Sequence, residues 1–279
     1  MENALVAVIS VAYSSVDALP EFLAGLPGNC PLVVVDNGPD DGARALVRAF
    51  GGKVVVPAQN IGFGGACNIG AEQAETEFLL FLNPDARLLP ESLQLLLQSA
   101  RNNPKAVGFG PALMGEDGSL SYKRGSMLTG HEPLTPEDPG QVDLVVSSLS
   151  GAAFLVRRDA FRAIGGFDPA IFLYYEDDDI SARLRAAGGT LLLVPSAKVV
   201  HLSGKSSAPS RSLLRFKGYH WTRSRIYVAR KYGMSVPWLR GFKNALWHML
   251  TPRIWDEPER LSEGLGRLKG AFSMLGRSS

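Results

Sequence analysis

Through the first 110 residues, short and almost continuous apolar runs alternate with stretches that read as helical. "LVAVISVAY", "PLVVVDNG", "KVVVPAQN", "FLLFLNPDA" and "AVGFGPALM" are predicted strands, and "VDALPEFLAGL", "DDGARALVRAF", "GFGGACNIGAEQA" and "PESLQLLLQSARNN" the helices between them. Strands that are apolar throughout and separated by helices predict a parallel sheet covered on both faces. Ligands of such sheets bind at the carboxyl ends of the strands, where Asp36, Asn60 and Asp85 fall. Residues 115–147, rich in Gly, Pro, Ser and charge, are predicted to form a long surface loop. "SGAAFLVRRDAFRAIGGFDPAIF" then gives a strand and a helix, "YYEDDDISARLRAAGG" another helix, and "TLLLVPSAKVVHLSG" one or two strands ending at His201. After about Ser206 the chain reads as helical, with Trp238, Phe242, Leu246 and Leu250 four apart on one apolar face. The expected organisation is an α/β domain over 1–205, with 115–147 as its loop excursion, and a helical region over 206–279.

Composition adds little until charge is divided along the chain. With 279 residues, 46% hydrophobic and 20% charged, the sequence is that of an ordinary globular protein. Cys30 and Cys67 are too few for a disulfide framework or a zinc cluster and fit a reducing compartment. The opening "MENALVAVISVAY" lacks a basic leader and reads as a first strand, and no apolar run approaches the roughly 20 residues of a membrane span. From His201 onward, however, 15 Lys and Arg face 4 Asp and Glu, a charge of +11; the residues before carry 14 against 23, or −9. A basic tail of this kind either meets an anionic surface such as lipid or docks on the acidic body.

Two glycine-rich stretches fail as nucleotide motifs. In "GFGGACNIG", Cys67 stands where a dinucleotide fingerprint needs its third glycine, and in "HLSGKSS" Val199 stands where a P-loop needs its first. The informative stretches are acidic. "FLLFLNPDARLLP" ends a buried strand on Asn83, Pro84 and Asp85, a triplet that suits a tight turn and equally a carboxylate held at the sheet edge to grip a metal. In "FLYYEDDDISARLR" four consecutive acids, Glu176 to Asp179, open a helix. One or two would complement the helix dipole; four repel, which points to some of them accepting a proton or a hydroxyl. His201 ends an apolar strand that could finish near Asp85, and a carboxylate with an imidazole suits a divalent ion sharing substrate phosphate oxygens, Mg²⁺ or Mn²⁺.

The ordered set "VVVDNG", "NIGFGGACNIG", "FLNPDA", "SGAAFLVRRDAF", "GGFDPAIFLYYEDDDISARLRAAG" and "VVHLSGKS" resembles family-2 inverting glycosyltransferases, over about residues 5–206. The nearest resemblance is to the rhamnosyltransferase-like group, which carries N-P-D where many relatives have D-x-D. It implies a GT-A (Rossmann-like) fold with a mixed, mostly parallel central sheet flanked by helices. It also implies that Asp36 reads the N3–H of a uracil or thymine base, and that Asn60, Gly62 and Asn68 lie beside the nucleotide. Asn83 takes the place of the first acid of D-x-D, Asp85 matches the last acid and ligates the metal, and His201 completes the metal site. Asp177 corresponds to the general base and Glu176 to a residue that positions the acceptor, while Asp179 supports the helix start. The extra acid Asp178 leaves the base open to a shift by one position.

The resulting expectation is a cytoplasmic, metal-dependent inverting glycosyltransferase of cell-wall or polysaccharide biosynthesis. Its donor would be dTDP- or UDP-linked, dTDP-L-rhamnose being favoured, its acceptor a glycan or a lipid-linked sugar. The basic tail would give peripheral contact with the inner face of the membrane, and no nucleic-acid partner is expected. Asn83 keeps open a catalytically silent nucleotide- or glycan-binding relative. A sugar-nucleotide pyrophosphorylase is disfavoured, because "VISVAYSSVDALP" lacks a Gly-rich basic phosphate signature.

Overall fold

A computed structural model describes residues 5–123, 125–131, 140–201, 210–234 and 259–275. The chain divides into two compact units, Met1–Asp168 with Asp177–Ser207, and Pro169–Glu176 with Ala208–Ser279. The expected boundary between residues 205 and 206 lies outside the described residues, as does the amphipathic stretch carrying Trp238, Phe242, Leu246 and Leu250.

In the first unit the elements run β1 (Val6–Ala12), α1 (Leu19–Ala24), β2 (Leu32–Asp36), α2 (Ala43–Phe50), β3 (Lys53–Val55), α3 (Phe63–Glu72), β4 (Phe78–Leu82), β5 (Ala86–Leu88), α4 (Ser92–Asn102) and β6 (Ala106–Met114). There follow β7 (Leu120–Ser121), β8 (Gly125–Ser126), β9 (Gly130–His131), β10 (Leu144–Val146), β11 (Ala153–Arg157), α5 (Arg158–Ala163), α6 (Glu176–Ala186), whose first residue alone falls in the second unit, and β12 (Thr190–His201). The main sheet has the order β10-β12-β6-β11-β4-β1-β2-β3, with β5 paired to β12 and β7 to β6. Strands β1 to β4 are mutually parallel where they pair, as are β6 and β12, but β11 enters antiparallel between β4 and β6. The sheet is therefore mixed.

Alternation along the strands divides the core into two layers. Val34, Leu80 and Leu155 face one way and pack with Leu19, Phe22, Val47 and Leu96 from α1, α2 and α4. Val33, Leu79, Phe81 and Phe154 face the other way and pack with Cys67, Phe161, Ile180 and Leu184 from α3, α5 and α6. At Gly70 in α3, a Cβ would come within 2.5 Å of Ile9 Cγ2, so glycine lets the helix lie close on the sheet.

The segment 115–147 is not one loop. Its described part carries four short strands: β7 extends from β6, β8 and β9 form their own hairpin, and β10 adds an edge to β12. Strands of two or three residues in polar, Gly-rich sequence have no apolar run to announce them. "TLLLVPSAKVVH" forms one strand with a register shift between Val194 and Lys198, a stretch containing Pro195, which has no N–H to offer a neighbour. Past that shift β12 also pairs with β5, which sets His201 opposite Ala86.

The second unit contains α7 (Arg211–Lys231) and α8 (Glu259–Ser273). The Ser210 hydroxyl caps α7 by accepting the Leu213 N–H at 3.1 Å. Glycines 218, 266 and 270 let the two backbones touch, since a Cβ at any of them would strike a backbone oxygen of the other helix. No helix among the described residues is long and apolar enough to cross a membrane.

Candidate active site

The site gathers at the carboxyl ends of the strands of the first unit. Asp36 closes β2 and is 2% exposed. Its Oδ2 accepts from Arg44 Nε at 2.5 Å and its Oδ1 from the Gly38 N–H at 3.3 Å, so this buried carboxylate is held in one orientation. The next side chain, Asn37, clamps the following loop: its Oδ1 accepts from Ile61 N–H and its Nδ2 donates to Gly62 C=O, both at 3.0 Å. Asn60 tightens the same turn by accepting the Gly62 N–H at 2.9 Å. Gly62 has φ +81°, a conformation that favours glycine, and leads into α3. Asn68, farther along that helix, donates to Phe167 C=O and accepts from Phe167 N–H, both at 2.8 Å. Both ends of its amide are committed to that backbone.

Asp85 lies in the turn between β4 and β5. Pairing of β5 with the end of β12 brings His201 Nε2 to 3.5 Å from Asp85 Oδ1. The Asp85 carboxylate is 4% exposed. Beside it in the chain, Asn83 Oδ1 is buried with no hydrogen-bond partner among the described residues, while its backbone N–H donates to Ala152 C=O at 2.9 Å. A buried acceptor without a donor fits a cation as neighbour. Two oxygen side chains and one imidazole are a donor set that suits Mg²⁺ or Mn²⁺. Among the described residues no group of three or more His, Cys, Asp or Glu is arranged to hold a metal. An ion here would therefore draw on other oxygens as well.

The four acids that open α6 separate by what they touch. Asp179 is fully buried and pairs with Arg183 Nε at 2.8 Å, one turn on. Asp178 is buried and accepts from Met127 N–H at 3.1 Å and Ser148 Oγ at 3.2 Å. Asp177, 22% exposed, is the most open of the four; its Oδ2 accepts from the Gly151 N–H at 3.1 Å and its Oδ1 from the Asp178 N–H at 2.9 Å. Lys123 Nζ bridges Asp177 Oδ2 at 2.7 Å and Asp178 Oδ1 at 2.5 Å.

In the second unit, Glu176 is buried and follows two successive residues, Tyr174 and Tyr175, at φ +68° and +67°. Consecutive left-handed aromatic residues are strained backbone of the kind found at functional sites. Burial, with the charges of Glu176 and Glu263, pushes the Tyr174 phenol up to about 12, so it remains a hydrogen-bond donor.

Sequence reading missed Asn37, Arg44, Gly151 and Lys123. Asn37 was available as the neighbour of Asp36 in "VVVDNG". Arg44 lies one helical turn into α2 and shows its role only once α2 folds back. Lys123 sat in the segment taken for a loop.

Residues 7–165 match the family model described as "Glycosyl transferase family 2". The chain is 30% identical over 260 residues to the N-acetylglucosaminyl-diphospho-decaprenol L-rhamnosyltransferase of Mycobacterium tuberculosis, covering 81% of this chain and 84% of that protein. It is 25% identical to the rhamnosyltransferase WbbL of Escherichia coli, covering 81% and 94% respectively. Among solved structures, GalNAc-T7 with UDP, GalNAc and Mn²⁺ superposes with a TM-score of 0.65 at 17% identity; the match covers 99% of this chain and 57% of the other. A mannosyltransferase from Pyrobaculum calidifontis in complex with GDP-Man and Mn²⁺ gives 0.59 at 14% identity, covering 98% and 76%. These structural likenesses bear on the fold, which is GT-A, and the sequence match extends over more than half of the chain. The chain belongs to glycosyl transferase family 2.

Proposed function

We propose that the protein transfers L-rhamnose from dTDP-L-rhamnose to a lipid-linked sugar acceptor, with inversion at the anomeric carbon, in the assembly of a cell-wall or surface polysaccharide. The observation that carries the reading is the approach of His201 to Asp85 at the strand ends, two residues along from an Asn83 oxygen that is buried without a hydrogen-bond partner among the described residues, in the same unit as the open carboxylate of Asp177. Asp36, fixed by Arg44, accepts the N3–H of thymine or uracil, and Asn37 with Asn60 shapes the loop against the nucleoside. Asn68, bonded to the Phe167 backbone, ties α3 to that segment. Asp85, His201 and Asn83 hold the divalent ion, Mg²⁺ or Mn²⁺, which when bound supplies positive charge where the leaving diphosphate gathers negative charge. Asp177 takes the proton of the acceptor hydroxyl as its oxygen attacks C1 and the C1–O bond to the diphosphate breaks. Glu176 orients the acceptor.

The M. tuberculosis relative's name specifies a diphospho-decaprenol sugar, which supports a lipid-linked acceptor for this chain. In the second unit, Phe216, Leu261 and Leu265 are exposed beside Arg211, Arg215 and Lys269, a mixture suited to peripheral contact with an anionic membrane surface at the cytoplasmic face.

The test is incubation with dTDP-L-rhamnose, Mn²⁺ and a synthetic N-acetylglucosaminyl-diphospho-polyprenol, followed by NMR of the product. Rhamnosyl product of inverted anomeric configuration is expected from the wild type. Asp177→Asn should bind donor and lose about 10²- to 10⁴-fold in turnover. A catalytically silent relative, the reading that Asn83 keeps open, would bind donor and give no product in either form.

A further inference from the structure

Lys123 reaches the acids of α6 from the segment after β7 and is mostly buried there. Burial pulls its ammonium's pKa down, but the charges of Asp177 and Asp178 and the hydrogen bonds to both outweigh this and leave it above its ordinary value. Lys123 is the cation that contacts the pair, and on α6 itself Asp179 is taken up by Arg183; the Met127 and Gly151 amides and the Ser148 hydroxyl contribute neutral donors. Two adjacent carboxylates repel each other, and the ammonium between them, 2.7 Å from Asp177 Oδ2 and 2.5 Å from Asp178 Oδ1, offsets that repulsion.

We propose that Lys123 is a positioning residue for the base: by bridging Asp177 and Asp178 it offsets their repulsion, holds Asp177 by Oδ2 and leaves Asp177 Oδ1, which carries a single N–H, to receive the acceptor's proton. The inference rests on Asp177 being the base. It makes the segment that follows β7 part of the catalytic apparatus through a single side chain.

The test compares wild type with Lys123→Met and Lys123→Arg in two measurements. The first needs no acceptor: the melting temperature of Lys123→Met relative to wild type, from pH 8 to pH 5. The deficit should be largest at pH 8 and shrink toward pH 5 as one carboxylate takes up a proton, and Lys123→Arg should remove most of it. A deficit that is the same at every pH, or none, overturns the proposal. The second is the pH profile of kcat/KM with dTDP-L-rhamnose and the synthetic acceptor. The acid limb of Lys123→Met should move up by about one pH unit, the low end for a carboxylate losing an opposite charge at this distance. Donor KM should not change, and an equal loss at all pH values overturns the proposal. Asp177→Asn is measured alongside: if it turns over like wild type, the assignment of the base falls and this proposal with it. If it is inactive while the Lys123→Met limb stays in place, only this proposal falls.

Discussion

The Asp177 carboxylate and the Asn83 backbone hang from adjacent residues leading into β11: the Gly151 N–H donates to Asp177 Oδ2 at 3.1 Å, and Ala152 C=O accepts the Asn83 N–H at 2.9 Å. One peptide unit thus sets the distance between the acid that opens α6 and the turn carrying Asp85. A Cβ on Gly151 would lie 3.3 Å from Asp177 Cβ, tighter than ordinary packing. Gly151→Val should therefore lower kcat by about tenfold or more through displaced geometry, with dTDP affinity kept. Steady-state kinetics alongside a dTDP titration checks this; an unchanged kcat would detach Asp177 from the chemistry.

Asp85 and His201 should behave as a pair. Asp85→Asn is expected to abolish Mn²⁺-dependent binding of dTDP. His201→Ala should raise the Mn²⁺ concentration needed for half-maximal binding by at least the about 10- to 100-fold that loss of an outer partner costs, since here a ligand itself is lost. Titrating Mn²⁺ at fixed dTDP reads both, and an unaltered requirement in either variant contradicts the assignment.

Asn68 gives a test of bracing against contact. Asn68→Ala removes two hydrogen bonds to the Phe167 backbone and should cost about 1–3 kcal/mol of stability. Below its own melting transition it should bind dTDP nearly as wild type does. A variant of normal stability and weakened dTDP binding would make Asn68 a direct ligand instead.

His220 in α7 stacks on Phe172 with ring centroids 4.2 Å apart, and burial, helped by Arg223, lowers its pKa to about 4 from an ordinary value of 6.5. The unfolded chain binds the extra proton between those values, so the stabilisation is whole above 6.5 and is lost as pH falls toward 4. Thermal melts from pH 7 to pH 4 should show this loss. His220→Phe should flatten that part of the curve; an unchanged pH dependence would place its origin elsewhere.

Much of the fold could be read from the chain because β1, β2 and β4 are apolar on both faces and are separated by recognisable helices. The antiparallel β11 could not, since "AFLVR" looks the same in either direction and its partners, β4 and β6, are set by tertiary structure. The site divides the same way. Residues at strand ends, such as Asp36, Asp85 and His201, carry a positional signal. Residues that act by reaching across the fold, such as Arg44 to Asp36 or Lys123 to Asp177, carry none until tertiary structure brings them together. The four acids of "EDDD" look alike in sequence; burial, Arg183 and Lys123 are what tell them apart.

The most direct test of the central claim is a calorimetric titration of the purified protein with dTDP in the presence of Mn²⁺, repeated with UDP, with GDP and without metal. Binding of dTDP in preference to UDP, lost when the metal is withheld, is the expected result. No binding of any of the three nucleotides, by protein shown to be folded, would contradict the account and leave Asp85 as a turn residue.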